Sequence, residues 1–184
     1  MRVVGGEFRG RRLAAPTSNA IRPSSDRLRQ TLFDILAHRF GDAVEDARVL
    51  DLFAGTGALA IEAISRGARY ALFVEEDATA RGLIRTNVET MGLTGRTRIF
   101  RRDATRLGEA GTVGAFSLVF ADPPYDHGLG ERALASALAG GWLEEGALAV
   151  LEERRSSEIA PVPGLEVVDR RDIGDSQLVF LKRM

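Results

Sequence analysis

The fold of this chain is decided by the stretch Val49-Leu50-Asp51-Leu52-Phe53-Ala54-Gly55-Thr56-Gly57-Ala58-Leu59-Ala60. The apolar run that ends at Phe53 predicts a buried strand, and the two glycines predict a tight turn that leads into a helix. Glycine lets the backbone approach a ligand closely, and the first turn of a helix offers free N–H groups. The stretch therefore predicts a strand–turn–helix unit with a ligand site at its turn.

The same alternation of strand and helix continues beyond this unit. Strands are predicted at about 48–53, 70–75, 97–101, 116–121 and 146–152, and helices at about 57–66, 77–91, 104–110 and 129–140. Such alternation gives a parallel sheet covered on both faces. Two further strands, at 165–171 and 177–182, predict a C-terminal hairpin. We therefore predict an α/β fold of the class I, Rossmann-like methyltransferase type, with a mostly parallel seven-stranded sheet and an antiparallel C-terminal hairpin.

Acidic residues stand at the predicted carboxyl ends of four successive strands: Asp51, Glu75, Asp103 and Asp122. Glu75 is placed to accept hydrogen bonds from ribose hydroxyls, which leaves NAD and S-adenosylmethionine both open, as does the glycine pattern. Asp51 favours S-adenosylmethionine, because a carboxylate there suits a sulfonium and an amino group and would repel a pyrophosphate. Asp103 is placed to accept from the adenine amine. Capping of a strand end would explain each acid singly but not all four.

The segment Asp122-Pro123-Pro124-Tyr125 follows the strand Phe116–Ala121, and ligands bind at that edge of open α/β sheets. Proline has no N–H, so this turn offers carbonyl acceptors, and the carboxylate of Asp122 is also an acceptor. The loop therefore suits a target that donates N–H bonds, such as an exocyclic amine. Tyr125 supplies a flat face for stacking a base.

The N-terminal part of the chain is rich in arginine. Residues 1–30 hold seven arginines against Glu7 and Asp26, whereas the remainder carries 18 basic and 24 acidic residues. This asymmetry is typical of a protein that grips phosphates at one end. We predict a basic arm at residues 1–22, with a β-hairpin at 2–13, and a catalytic domain at 23–184. A helix starts at Ser24-Ser25-Asp26, and its Arg27 and Arg29 are predicted to point away from the apolar face, as a solvated surface or a phosphate clamp.

Composition excludes several chemistries. The chain has no cysteine, so thiolate metal sites and covalent catalysis through cysteine are excluded, and its two histidines show no metal-ligand spacing. No window reaches the ~18 apolar residues of a membrane span, and the N-terminus lacks the apolar core of a signal peptide. We therefore expect a cytoplasmic protein without a metal site or a membrane partner.

The chain resembles the bacterial 16S rRNA guanine-N2 methyltransferase family (RsmD). The resemblance is carried by the segments Arg2–Gly6, Arg9–Arg11, Arg22–Phe33, Asp51–Leu59 and Asp122–Tyr125. It implies S-adenosylmethionine as cofactor, 16S rRNA or the small ribosomal subunit as partner, and a monomeric enzyme. The residues expected to bind the cofactor are Asp51, Phe53, Ala54, Gly55, Gly57, Glu75, Asp103 and Ala104. Asp122, Pro123, Pro124 and Tyr125 are the expected catalytic residues, and the expected RNA-binding residues are Arg9, Arg11, Arg12, Arg22, Arg27 and Arg29.

Three alternatives stay open at this point. The loop chemistry also permits methylation of adenine N6 in DNA or of a glutamine amide, and only the N-terminal segments argue against these. An NAD-dependent oxidoreductase would leave the segment 122–125 unexplained. A ribosome assembly factor that only binds would keep the arginines but would not need Glu75, Asp103 and Asp122 together.

Overall fold

The computed structural model describes residues 1–17 and 24–184, which form one α/β layer structure. Its strands are β1 Arg48–Leu52, β2 Tyr70–Val74, β3 Thr97–Phe100, β4 Phe116–Ala121, β5 Leu143–Arg154, β6 Leu165–Ile173 and β7 Ser176–Arg183. Its α-helices are α1 Asp26–Arg39, α2 Ala58–Ser65, α3 Ala78–Thr90 and α4 Leu129–Ala139. In the part of the chain described here, no helix is long and apolar enough to cross a membrane.

The strands form one seven-stranded sheet in the order β3-β2-β1-β4-β5-β7-β6. The five strands from β3 to β5 in this order run parallel, and β7 pairs antiparallel with both β5 and β6. This confirms the predicted fold class. The strand order reverses between β1 and β4, and in open α/β sheets this switch point is where ligands bind. Because β1, β2 and β4 are buried on both faces, they appear in the sequence as mainly apolar runs.

Helix α1 begins where its capping residues predict. Ser25 is the N-cap, and its hydroxyl accepts a hydrogen bond from the backbone N–H of Leu28 at 3.0 Å. Asp26 occupies the first turn, where a negative charge is favourable. The buried face of the helix includes Leu32 and Leu36, which belong to the same hydrophobic cluster as the apolar residues of α2.

The prediction of a helix at 104–110 is wrong. The structure has short 3-10 turns at Ala104–Arg106 and Gly111–Val113 instead. Gly108, inside the predicted range, and Gly111, just beyond it, adopt φ values of +71° and +56°, which a right-handed helix does not allow. The carboxylate of Asp103 caps the first turn by accepting from the backbone N–H of Thr105.

The N-terminal segment lies against the catalytic domain and contributes to its core. The predicted hairpin is reduced to one antiparallel bridge between Arg2 and Arg12. Val3 and Leu13 are buried in the same cluster as α1 and α2. Gly6 packs so closely on α2 that a Cβ there would lie 1.9 Å from the backbone oxygen of Ser65. The boundary at residue 22 stays a prediction, because residues 18–23 lie outside the described part.

Candidate active site

A cavity of about 1010 Å³ opens at the carboxyl edge of the parallel strands. Its walls come from the turn after β1 and from the ends of β2, β3 and β4. Nine of the residues predicted for the cofactor or the target line it: Phe53, Gly55, Glu75, Asp103, Ala104, Asp122, Pro123, Pro124 and Tyr125. These nine residues are up to 72 positions apart in sequence, and the fold brings them to one cavity.

Glu75 is held firmly at the end of β2. One of its carboxylate oxygens accepts the backbone N–H of Gly55 at 2.8 Å, and the other accepts that of Asp77 at 2.9 Å. Each oxygen keeps a further lone pair that can accept from a ligand hydroxyl. The carboxylate thus fastens the glycine turn to β2 and still faces the cavity.

The turn after β1 is made by backbone in the left-handed region. Phe53 and Gly55 have φ values of +58° and +60°. Such a conformation is unusual for a phenylalanine, and strain of this kind clusters at ligand sites. Gly57 has φ of +82° but lines neither of the two cavities at this edge. A Cβ on it would meet the ring of Phe73 at 3.0 Å, so its lack of a side chain serves packing under the turn.

Asp51 lies beside the large cavity, in a smaller one of about 40 Å³. This small cavity is shared by Asp51, Ala54, Asp122 and Ser24, and only Asp122 among these four lines both cavities. Burial raises the pKa of Asp51 well above its ordinary value of 3.8, and the nearby negative charge of Glu75 raises it further. One oxygen of Asp51 accepts the backbone N–H of Ala60 at 3.3 Å. A cation in the small cavity would favour the ionised form of this carboxyl.

Asp103 and Ala104, just beyond the end of β3, also line the large cavity. The Oδ1 atom of Asp103 accepts from the backbone N–H and the hydroxyl of Thr105, at 2.8 Å and 2.7 Å. These bonds, first that of the hydroxyl and then that of the N–H, lower the pKa of Asp103, so its carboxylate is ionised at neutral pH. In the described structure its Oδ2 atom has no hydrogen-bond partner and can accept from a ligand amine.

The loop that follows β4 is tied to the C-terminal strands. Pro123 is buried, whereas Asp122 and Tyr125 are partly open to the cavity. The hydroxyl of Tyr125 donates to Glu152 at 2.9 Å and lies 2.8 Å from the hydroxyl of Ser176. The prediction that Tyr125 presents its ring at this edge is compatible with these contacts, and its stacking role stays a prediction.

Sequence reasoning missed several side chains of the site. Ser24, for which the sequence predicts only helix capping, lines the small cavity, and His127, Arg132 and Arg154 line the large one. Arg154 lies with its guanidinium 5.2 Å from the ring centre of Tyr125 and is paired with Asp126 at 2.8 Å. These residues come from different elements, and no local pattern marks them. Among residues 1–17 and 24–184, no group of three or more His, Asp or Glu side chains could hold a metal ion.

The predicted RNA-binding arginines divide into two groups. Arg9, Arg11, Arg12 and Arg27 are exposed, and Arg22 lies outside the described residues. The predicted outward position of Arg29 is wrong, because this side chain is fully buried. Its guanidinium donates to the backbone oxygens of Ser24 and Arg2, both at 2.6 Å.

Besides these backbone oxygens, the guanidinium of Arg29 faces two carboxylates, those of Asp26 at 2.5 Å and Glu62. Glu62 is fully buried in α2 and lies 3.9 Å from the Nε atom of Arg29. It also accepts the backbone N–H groups of Val4 and Gly5, each at 2.9 Å, and pairs with Arg66 at 2.8 Å. A buried carboxylate requires such partners, so Arg29 serves the docking of the N-terminal segment.

Comparison with known proteins gives a consistent result. The family model described as "Conserved hypothetical protein 95" matches residues 1–182. Ribosomal RNA small subunit methyltransferase D of Escherichia coli K12 is 37% identical over 164 residues, which are 89% of this chain and 79% of that protein. The putative rRNA methyltransferase YlbH of Bacillus subtilis is 33% identical and spans 94% of this chain and 92% of its own.

A solved structure shows the same architecture. The putative methyltransferase yhhF from Escherichia coli superposes with a TM-score of 0.83 at 32% sequence identity. The match covers 100% of this chain and 97% of that one. The likeness therefore includes the N-terminal segment and the C-terminal hairpin as well as the parallel core.

Proposed function

Since this chain belongs to the family described as conserved hypothetical protein 95, and its named relatives identify it as a methyltransferase, we propose that it methylates the exocyclic N2 amine of a guanine in 16S rRNA. S-adenosylmethionine is the proposed methyl donor. The membership confirms the resemblance to the RsmD family that the sequence motifs indicate. The observation that carries the proposal is the position of Asp122, which lines both cavities and opens a loop of acceptors.

The acids of the two cavities suit a cationic nucleoside cofactor. S-adenosylmethionine supplies an electrophilic methyl group on a sulfonium, and the protein supplies position and electrostatics. Glu75 would accept from the ribose hydroxyls, and Oδ2 of Asp103 from the adenine amine. Asp51 would face the positive charges of the methionine part, with Ser24 beside it. A pyrophosphate in place of the methionine part would meet the carboxylate of Asp51 with repulsion, which argues against NAD.

The loop of Asp122 would activate the target amine. The lone pair of a guanine amine is delocalised into the ring, which makes it a poor nucleophile. The carboxylate of Asp122 and the carbonyl of Pro123 can accept its two N–H bonds and favour a localised lone pair. As the amine takes the methyl group it becomes cationic, and the negative charge of Asp122 then stabilises it more than before. The cationic amine would then give one proton to the carboxylate of Asp122, which already accepts its N–H bond, and the demethylated cofactor, S-adenosylhomocysteine, would leave.

The target base must leave its stack to reach this loop, and Tyr125 offers a ring on which it can rest. The exposed Arg9, Arg11 and Arg12 would hold the RNA backbone by neutralising phosphates. They stand on a segment joined to the cofactor turn through Asn87, which accepts from the backbone N–H of Ala14 at 2.6 Å and donates to Thr56 at 3.0 Å. We expect the enzyme to act as a monomer in the cytoplasm, on 16S rRNA or on the small subunit.

Two measurements test the proposal. Calorimetry should detect binding of S-adenosylmethionine without added metal, and binding of NADH alone would contradict the cofactor assignment. Methyl transfer from labelled S-adenosylmethionine should then place the label on N2-methylguanosine in digested 16S rRNA. Label on adenine N6 in DNA, or on a glutamine amide, would instead support the competing amino-methyltransferases.

A further inference from the structure

The hydroxyl of Tyr125 is held by a buried group that the proposed mechanism does not use. Glu152 lies in β5, opposite Leu178 of β7, and its side chain is 5% exposed. Its Oε1 atom accepts from the hydroxyl of Tyr125 at 2.9 Å and from that of Ser176 at 3.3 Å. The oxygens of Tyr125 and Ser176 are themselves 2.8 Å apart, so the three side chains form a closed triangle.

A second tether holds the residue that follows Tyr125. The carboxylate of Asp126 is paired with Arg154 at 2.8 Å and accepts from the hydroxyl of Ser157. Its backbone N–H donates to Glu153 at 3.2 Å. This tether is half-exposed at Arg154 and Asp126, whereas the Glu152 contact is buried. Charge-assisted hydrogen bonds are the stronger kind, and burial protects them from water.

The backbone that carries these partners is itself fixed. The side-chain amide of Gln177, in β7, donates to the backbone oxygens of Arg154 at 2.9 Å and Ser157 at 2.8 Å. Gln177 is 4% exposed. The turn after β5 is therefore anchored to the C-terminal hairpin, and the loop of Tyr125 is anchored to both.

We propose that Glu152 is a positioning residue that holds the ring of Tyr125 as a fixed wall of the target-base site. It acts through the Tyr125 hydroxyl and touches no reacting atom. A ring that is already ordered need not be immobilised when the target base arrives, so the entropic cost of binding the RNA is lower. The inference rests on the proposed function, in which Tyr125 receives the target base.

The order of the ring can be measured without any RNA. The chain has two tyrosines, Tyr70 and Tyr125, so a sample with ¹³C-labelled tyrosine gives ring signals from two residues only. Tyr70 is partly buried, packs against the hydrophobic core and stacks with Phe116, and it serves as the internal control. In Glu152→Ala the ¹³C chemical shifts of the Tyr125 ring should move towards the values of a freely moving tyrosine ring. Those of the Tyr70 ring should stay unchanged.

Single-turnover methyl transfer then tests the consequence. Glu152→Ala and Tyr125→Phe should each raise the RNA concentration for half-maximal rate by about two- to tenfold, the cost of ordering one side chain on binding. In Glu152→Ala the maximal rate and the affinity for S-adenosylmethionine should stay within about twofold of wild type. Glu152→Gln should be close to wild type, because its amide oxygen still accepts the hydroxyl. Glu145→Ala, an exposed glutamate of the same strand, is the matched control.

The double variant distinguishes positioning from a separate role of Glu152. If the carboxylate acts through Tyr125, adding Glu152→Ala to Tyr125→Phe should change the RNA dependence no further. Additive losses, or an unchanged Tyr125 ring in Glu152→Ala, would overturn the inference. If the ring is freed while RNA dependence stays at wild type, even in Tyr125→Ala, the target-binding role of Tyr125 fails with it. Cofactor binding and methyl transfer would then still stand, which separates this outcome from failure of the proposed function.

Discussion

Replacing Arg29 by alanine should lower the free energy of unfolding by about 3–5 kcal/mol, the cost of breaking a buried ion pair by removing one partner. The guanidinium is fully buried and donates to two backbone oxygens at 2.6 Å and to Asp26 at 2.5 Å. Each acceptor left without its donor costs about 1–3 kcal/mol, and water entering the space vacated would recover part of the sum. Glu62 keeps Arg66 and two backbone N–H groups, which limits the loss at the carboxylate.

Urea and thermal denaturation followed by circular dichroism measure this loss. A chain of this size loses about 2–4 °C in Tm per kcal/mol, so the Tm of Arg29→Ala should fall by about 6–20 °C. Arg27→Ala is the matched control, because Arg27 is exposed in the same turn of α1, and its stability should change by less than about 0.5 kcal/mol. If Arg29→Ala unfolds like wild type and only weakens RNA binding, the side chain is a phosphate clamp and the reasoning is refuted.

Three further predictions concern the cofactor, the RNA and the pH dependence of stability. Glu75→Ala should weaken S-adenosylmethionine binding by about 1.5–3 kcal/mol in calorimetry, through loss of charged hydrogen bonds, and an unchanged affinity would remove Glu75 from the site. Replacing Arg9, Arg11 and Arg12 together by alanine should weaken RNA binding and leave the cofactor affinity unchanged. The slope of log affinity against log salt should fall by about one unit for each phosphate that is no longer neutralised. An unaltered slope would mean that these arginines do not bind phosphates. Folding raises the pKa of Asp51, so its ionisation lowers the free energy of unfolding as the pH rises from 3.8 through the raised pKa. Asp51→Asn should therefore stabilise the protein against urea at neutral pH, and progressively less towards pH 4. A gain in stability that does not depend on pH would contradict the raised pKa.

The order of the elements is predictable because each depends on local pattern. The apolar runs of β1, β2 and β4 and the glycine turn at 55–57 are contiguous in sequence, and so is the capping signal of Ser25. The sequence pattern places the start of β5 three residues late, because Leu143 precedes the polar run Glu144-Glu145-Gly146, which interrupts the apolar pattern. The predicted helix at 104–110 does not form, because Gly108 adopts a left-handed backbone conformation in the middle of it.

The candidate site is predictable where its residues end strands and hidden where partners are distant. Parallel strands bring their carboxyl ends to one edge, so Glu75, Asp103 and Asp122 can be placed together without coordinates. The buried position of Arg29 involves the backbone oxygen of Arg2 and the carboxylate of Glu62, which lies 33 positions further along the chain, and no spacing rule links them. The tether of Tyr125 to Glu152 is likewise made only when β5 meets the loop after β4.

The central claim, that Asp122 stabilises a guanine amine during methyl transfer, is tested most directly by single-turnover methyl transfer with Asp122→Asn at saturating RNA and cofactor. The amide can still present an oxygen to the amine, so RNA binding should survive in part, but it cannot supply the negative charge that the amine needs as it becomes cationic. The rate of the chemical step should therefore fall, and Asp122→Ala should be slower still, the pattern of an interaction that is stronger in the transition state. Methyl transfer by Asp122→Asn at the wild-type rate would show that Asp122 only caps the end of β4, and would contradict the claim.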